Sequence, residues 1–379
     1  MRLAFLIFKV FPFGGVQRDM LRIAHDCAKN GHQVTIYTGE WRGEKPIPEI
    51  EVKILASQGW QNHQRHQSLI NAMQAAVQLD SPDFVVGFNR MPNLDAYFVA
   101  DPCFIERAHQ RGWWHKLGGR YQFFKSVENA VFDVQSHCEL LVLNSHDIPV
   151  YQRWYATPIE RFHVLPPNIP SERFANVNRT EARNALRKEF QLSADANVIL
   201  MVGSAFVRKG LDRVIKSLGS LPEPLQNNTW ILAVGEDEPD DMRKLAKKYD
   251  VSERVLIQDG RDDIPMLMAG ADILAHLARS ELAGIVIIEA LTAGLPVLVT
   301  AVCGYADHVK AANAGIVLAE PFNQLESDAA LLSMLTSSEN ALWHANAESY
   351  TQNIAMNSSK TPEADLIEQF ALKKVHHHG

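Results

Sequence analysis

Residues 276–305 read HLARSELAGIVIIEALTAGLPVLVTAVCGY, and the rest of the chain is organised around them. Gly284 opens an apolar segment long enough for a helix, and Gly294-Leu295-Pro296 stops it. Residues 297–300 (VLVT) then form a short β-branched run fit for a buried strand. A helix start marked by glycine is a ready anion site, because its free backbone N–H groups and the helix dipole both favour negative charge. Glu281 in the preceding loop and Glu289 one to two turns into the helix bracket that site. Hydrogen-bond acceptors beside an anion site suit a ligand carrying both phosphates and hydroxyls, such as a nucleotide sugar. Taken alone, the stretch reads equally well as a buried amphipathic helix with two incidental glutamates.

The chain has 379 residues, comfortable for two α/β domains. Its 46% hydrophobic and 21% charged content are those of a globular protein, and a net charge of −7 argues against a general nucleic-acid binder. Cys27, Cys103, Cys138 and Cys303 are scattered without metal or redox spacing, so they read as reduced thiols of a cytoplasmic protein. No apolar run is long enough for a transmembrane helix, and no secretory leader is read at the N-terminus. The closing HHHG is set aside from the fold reading.

Working outward, short apolar runs alternate with helical patterns in both halves. Residues 3–10, 33–38, 83–88, 97–100, 139–144 and 161–165 read as strands of the first half. Residues 198–202, 230–234, 255–258, 272–276, 297–300 and 315–318 read as strands of the second. That alternation predicts an α/β fold of two Rossmann-like parallel-sheet domains whose strand ends face a central cleft. The domains are expected at 1–167 and 168–349, divided at Pro166-Pro167, with a helix over about 350–375 packing back on the first.

Several residues sit at predicted strand exits, where ligands of open α/β sheets bind. Gly14-Gly15 follows the first strand and removes two Cβ atoms, so that a sugar or phosphate can approach the backbone; a plain tight turn fits as well. Asp101 follows another strand, where a solvated loop aspartate is the ordinary alternative. Residues 204–209 are read as a loop that ends in Arg208-Lys209, an adjacent cation pair suited to a diphosphate, or else merely solvated. Arg261 follows a further strand and is placed to frame a base or ribose. No Asp-x-Asp clamp or His/Cys cluster with metal spacing occurs, so no metal cofactor is expected and the cations and helix-start amides would carry the diphosphate.

Residues 103–125 (CFIERAHQRGWWHKLGGRYQFFK) are the other unusual stretch. Arg107, Arg111, Lys116, Arg120 and Lys125 face one acid, Glu106, and are interleaved with aromatics that include Trp113, Trp114 and Phe124. If the later part is helical, Trp113, Leu117, Tyr121 and Phe124 share a face, although Gly118-Gly119 would weaken it by about 1 kcal/mol per glycine. Basic residues with amphipathic aromatics suit the headgroup region of an anionic membrane. Aromatics packed back on their own domain are the alternative.

Glu281 and Glu289, with seven residues between them, match the Glu-x7-Glu motif of retaining glycosyltransferases, and the chain resembles glycosyltransferase family 4, of the GT-B fold, over nearly its whole length. Four segments carry the resemblance: residues 11–19 (FPFGGVQRD), 85–95 (VVGFNRMPNLD), 203–213 (GSAFVRKGLDR) and 283–306 (AGIVIIEALTAGLPVLVTAVCGYA). Within the family it is most similar to the glucosyltransferases of the lipopolysaccharide core, less so over residues 277–280. The resemblance implies a hexosyltransferase that takes glucose from UDP-glucose to an inner-core heptose, retains configuration and works without metal. It implies that Glu281 contacts the donor sugar hydroxyls. Amides of Ala283, Gly284, Ile285 and Val286 would hold sugar and diphosphate, and Glu289 the ribose. Gly14 and Gly15 would admit the donor, Arg208 and Lys209 neutralise the diphosphate, Arg261 flank the uracil, and Asp101 lie on the acceptor side. It further implies peripheral association with the cytoplasmic face of the plasma membrane through residues 103–125. Transfer of galactose, N-acetylglucosamine or mannose to another glycolipid, or epimerisation of a UDP-sugar on the same fold, stay open at this level. A non-catalytic membrane module leaves the cleft motif without a role.

Overall fold

The computed structural model describes residues 1–11, 15–43, 48–109, 118–168, 171–357 and 361–378. The chain divides into two compact units, Met1–Pro166 with Ser359–Gly379, and Pro167–Ser358.

The first unit runs β1 (Arg2–Ile7), α1 (Gly15–Lys29), β2 (Gln33–Thr38), β3 (Ile50–Ile54), α2 (Asn62–Asp80), β4 (Phe84–Gly87), β5 (Ala96–Val99), α3 (Phe104–His109), α4 (Gly119–Phe132), β6 (Glu139–Val142), α5 (Ile148–Tyr155) and β7 (Phe162–Val164). Its seven strands are parallel in the order β3-β2-β1-β4-β5-β6-β7. Strand periodicity explains the layers. Leu3, Phe5 and Ile7 of β1 join Met20, Ile23, Ala24 and Cys27 of α1 on one face. Ala4 and Leu6 meet Leu69 and Met73 of α2 and Phe123 and Val127 of α4 on the other.

The second unit runs α6 (Ser171–Phe174), α7 (Arg179–Glu189), β8 (Asn197–Val202), α8 (Phe206–Lys209), α9 (Leu211–Gly219), α10 (Glu223–Asn227), β9 (Thr229–Val234), α11 (Asp240–Lys248), β10 (Val255–Gln258), α12 (Ile264–Gly270), β11 (Ile273–His276), α13 (Ile285–Thr292), β12 (Val297–Thr300), α14 (Ala306–Ala312), β13 (Gly315–Leu318), α15 (Gln324–Thr336) and α16 (Asn340–Asn357). Its six parallel strands are ordered β10-β9-β8-β11-β12-β13. The last helix, α17 (Pro362–His378), returns to the first unit. There Ala364, Ile367, Phe370 and Ala371 are buried in the α1 layer, and Glu363 pairs with Arg22 at 2.6 Å.

Three expectations need correction. Gly118 and Gly119 do not interrupt a helix; they start one, Gly118 as the extended N-cap of α4. Residues 204–209 are not all loop, since Phe206–Lys209 closes a helical turn entered through Ala205 at φ 62°. The first strand stops at Ile7, and Val10 instead forms a lone bridge to Trp41. All four cysteines are buried free thiols.

The second unit also carries a pH-sensitive joint. His344 of α16 takes a hydrogen bond from Arg179 on one ring nitrogen and donates to the Gly294 carbonyl with the other. Burial, with Arg179 alongside, pushes its imidazole down to about 4. Below pH ~6.5 the unfolded chain therefore binds a proton that the folded one refuses. This contribution is intact above 6.5 and shrinks as pH falls toward 4. Urea unfolding at about pH 7.5 and about pH 5 should show His344→Asn losing less stability across the interval than the parent. Equal losses would remove His344 from the account.

Candidate functional site

Strand order reverses between β8 and β11, and such reversals open a crevice at the strands' carboxyl ends. The loop leaving β8 leads to α8 with Arg208 and Lys209, and the loop leaving β11 leads to Glu281. The crevice brings them together. Lys209 Nζ pairs directly with Glu281 Oε2. Arg208 Nη1 lies 3.4 Å from the same oxygen and 3.2 Å from the Ser280 carbonyl. The solvated alternative for the cation pair thus fails for Lys209, whose side chain is 14% exposed. Burial alone would raise the Glu281 carboxyl, but His276 and Lys209 outweigh it and bring it down to about 2.

His276 sits behind this group at the end of β11, fully buried, with Nε2 3.6 Å from Glu281 Oε2. Neither of its ring nitrogens has a hydrogen-bond partner among the described residues. Burial lowers its imidazole, so at neutral pH it offers Glu281 a dipole rather than a charge. The sequence reading missed this residue, because a lone histidine in a strand carries no signal of its own.

The loop holding Glu281 is tied on every side. Arg213 Nη1 donates to the carbonyls of Leu277 and Ala278 at 3.0 and 3.1 Å. Arg279 grips Asp212 with both guanidinium ends at 2.7 and 2.8 Å. Thr300 Oγ1 donates to Ala278 O at 2.8 Å, and Glu281 bridges to Cys303. These ties act on residues 277–281. They immobilise the carboxylate before any ligand arrives, which is what preorganised electrostatics requires.

Gly284 caps α13 at φ 84°, and a Cβ there would stand 3.0 Å from Ile287 Cδ1 and 3.4 Å from Glu281 Cγ. The turn needs glycine, and it presents the amides at 284–286, which have no carbonyl one turn below them, next to Glu281. Ala283 O accepts from Tyr305 N at 2.8 Å, which fixes the entry to the helix. Glu289, one turn on, is buried and accepts from Arg173 Nη1 of α6 at 2.5 Å. Arg173 is a second residue the sequence reading missed. Arg261 makes no described contact with this group. It is clamped by Glu189 and Asp263, the latter at 2.6 Å.

In the first unit, Gly14 lies outside the described residues and Gly15 opens α1. A Cβ on Gly15 would meet nothing within 4 Å, so the fold itself does not demand glycine there. The exposed Asp101 lines a cavity of about 720 Å³ together with Asn89, Arg90, Arg107, Arg120 and Tyr121. Its backbone is fixed from below. Arg90 Nη2 and Tyr151 OH donate to the Asp101 carbonyl at 2.6 and 3.1 Å, and Arg90 is itself held by the fully buried Glu128 at 2.7 Å.

Of the basic aromatic stretch, Arg111, Trp113, Trp114 and Lys116 fall outside the described residues. Arg107, Arg120 and Lys125 are exposed. Phe124 is partly buried against the unit's core, 5.1 Å from the Phe123 ring and 5.3 Å from that of Phe104, beneath Arg120. Among the described residues no helix is long and apolar enough to cross a membrane, and no group of three or more His, Cys, Asp or Glu side chains has metal-holding geometry.

Comparison with known proteins fits this arrangement. The profile of the family described as "Glycosyl transferases group 1" matches residues 182–350, the part that builds the Glu281 group. Lipopolysaccharide glucosyltransferase WaaG of Escherichia coli K12 is 41% identical over 369 residues, covering 97% of this chain and 98% of that protein. The crystal structure of WaaG superposes with a TM-score of 0.87 at 40% identity, over 96% of this chain and 99% of that one. Anabaena HepE in complex with UDP and glucose shares the fold alone, with a TM-score of 0.71 at 16% identity over the full length of both chains. The two parallel Rossmann-like sheets are the GT-B architecture, and the Glu281 crevice lies in the segment that the family profile covers. On identity sustained along nearly the whole of a known transferase, this chain belongs to the group 1 glycosyltransferases.

Proposed function

We propose that this glycosyltransferase moves glucose from UDP-glucose onto the inner-core heptose of lipopolysaccharide, with retention, at the cytoplasmic face of the membrane. The observation that carries the donor half is the Glu281 group: an ionised, pinned carboxylate beside two cations and the start of α13. A sugar needs a hydroxyl acceptor there, a diphosphate needs the cations and amides, and both meet within one crevice. The acceptor half rests on similarity to a lipopolysaccharide glucosyltransferase and on the cavity that carries Asp101.

In the reaction the bond from the anomeric carbon to the diphosphate oxygen breaks and a bond to the acceptor oxygen forms on the same face. Arg208 and Lys209 neutralise the charge that grows on the leaving diphosphate. A phosphate oxygen of the donor takes the acceptor's proton, so no protein base is required. Glu281 orients the sugar through its hydroxyls, and Glu289 receives the ribose.

A donor screen tests the proposal. UDP-glucose, UDP-galactose, UDP-N-acetylglucosamine and GDP-mannose would be offered with membrane-derived acceptors, with and without EDTA. Transfer from UDP-glucose, undiminished by EDTA, is expected. Preference for another donor, or loss in EDTA, would overturn that part of the proposal. Incubation with UDP-glucose alone separates transfer from epimerisation. The Arg173–Glu289 pair supplies a finer check. Arg173→Ala leaves Glu289 without its cation, so KM for the donor should rise about tenfold with kcat changed less, since the pair acts on binding. A loss confined to kcat would place Arg173 in the chemical step instead.

A further inference from the structure

The most exposed large hydrophobic side chain described is Trp60, at 98%, in the turn before α2. Residues 56–62 around it are exposed as well, yet the turn is held in place. Gln58 N donates to Ser68 Oγ at 3.1 Å, Arg65 Nε donates to Gly59 O at 2.8 Å, and Gln61 and Gln64 cap one another across the first turn of α2. Ties on both sides of Trp60 hold the backbone while the indole stands in solvent. An indole left fully in water forfeits the burial that its size offers, unless something covers it in use.

The surroundings identify the cover. The start of α2 lies against the start of α4. A Cβ on Gly119 would stand 3.4 Å from His63 Nε2, and the His63 and Phe123 rings are 6.4 Å apart. The turn carrying Trp60 leads directly into that contact, and the two helices carry the exposed Arg65 on α2 and the exposed Arg120 and Lys125 on α4. Acids are sparse here: the exposed Asp101 lines one cavity with Arg120. Helix α2 carries none before Asp80, and the single acid of α4, Glu128, is fully buried against Arg90. Glu106 on α3 is taken by Arg153 and Trp154. A projecting indole on a surface that carries these basic side chains complements the headgroup region of an anionic bilayer, where tryptophan settles with its ring at the interface.

We propose that Trp60 is an interfacial anchor that, with Arg65, Arg120 and Lys125, seats the first unit on an anionic membrane. This rests on the membrane association proposed above and adds to it an element outside residues 103–125. The test is sedimentation of the full chain with vesicles of phosphatidylcholine and phosphatidylglycerol, and with phosphatidylcholine alone. Trp60→Ala should bind the anionic vesicles at least about fivefold more weakly, the loss from withdrawing about 40 Å² of apolar surface. Brominated lipid should quench the parent's emission more than that of Trp60→Phe. Binding of UDP-glucose in the second unit serves as the integrity control. Unchanged vesicle binding by Trp60→Ala, alongside weakened binding by Arg120→Gln/Lys125→Gln, would overturn the anchor and leave the wider membrane reading standing. A parent that ignores anionic vesicles would overturn both. Reduced use of a lipid-free acceptor by Trp60→Ala, with vesicle binding intact, would mark the indole as a sugar platform and overturn the anchor as well.

Discussion

Replacing Glu281 by alanine is expected to abolish sugar transfer while leaving both units folded. Loss of one preorganised polar group at a reacting centre lowers kcat by about 10²–10³, and here the same change also frees the cations meant for the diphosphate. Stability should fall too. Lys209 would keep its charge in a largely enclosed position with its acid gone. Breaking a fully buried pair costs about 3–5 kcal/mol. Arg208, at 47% exposure, still reaches water, so about 2 kcal/mol is the better expectation, or roughly 4–8 °C in melting temperature. Glu281→Gln separates charge from shape. With its folded-state carboxyl held near 2, Glu281 contributes stability that is complete above about 4.5 and disappears as pH falls through about 2. The glutamine variant should lack that acid-side loss and still fail in transfer. Thermal melts with single-turnover assays decide the matter. Parent-like turnover in Glu281→Ala would sink the assignment of this carboxylate.

The parts of the molecule legible in sequence are those where local pattern and tertiary environment agree. Strands such as β8, β11 and β12 are short apolar runs, and a parallel sheet covered on both faces leaves them no other state. Helix α2 was not legible. Of its nineteen residues only Leu69, Ile70 and Met73 are buried, too few for a helical period, and its start is capped by Gln61 rather than Ser, Thr, Asp or Asn. β3 is an edge strand whose IEVKI alternates charge with aliphatics, the pattern by which edges avoid pairing with other chains. At the site, Glu281, Arg208 and Lys209 could be named from chemistry and resemblance, but their direct pairing could not, since 72 residues separate Lys209 from Glu281. Arg261 shows the converse. Its strand-exit position is that of a ligand-binding residue, while its nearest carboxylates, Glu189 and Asp263, already satisfy it. Donor contact by Arg261 would have to compete with both.

Gly210→Ala is expected to be as damaging to transfer as loss of Glu281, and for a reason remote from chemistry. Gly210 joins α8 to α9 at φ 85°, and a Cβ there would lie 1.9 Å from the Leu277 carbonyl oxygen and 2.5 Å from its carbon. Both are backbone atoms of the loop leaving β11, so no side chain can swing away. The left-handed conformation alone costs an alanine about 1–2 kcal/mol, and relieving the overlap adds about 1–3 or more. A loss of about 3–5 kcal/mol and roughly 10 °C follows, a large share of a domain's stability. The direction of the forced movement matters more. Lys209 and Arg208 immediately precede the glycine, and Glu281 lies four residues past Leu277 on the other side of the contact. Separating the two backbones therefore draws the cations away from the carboxylate, and a misplacement of about 1 Å costs on the order of 10²-fold in rate. Transfer assayed well below the variant's melting temperature should show that loss with the fold still present. Gly15→Ala is the comparison that gives the result its meaning: nothing lies within 4 Å of its added methyl, and its φ is not positive. That variant should melt with the parent, so any loss of donor use in it reports ligand approach alone. If Gly210→Ala instead kept the parent's melting temperature and kcat, the close contact of α8–α9 with β11 could not be what holds Lys209 against Glu281.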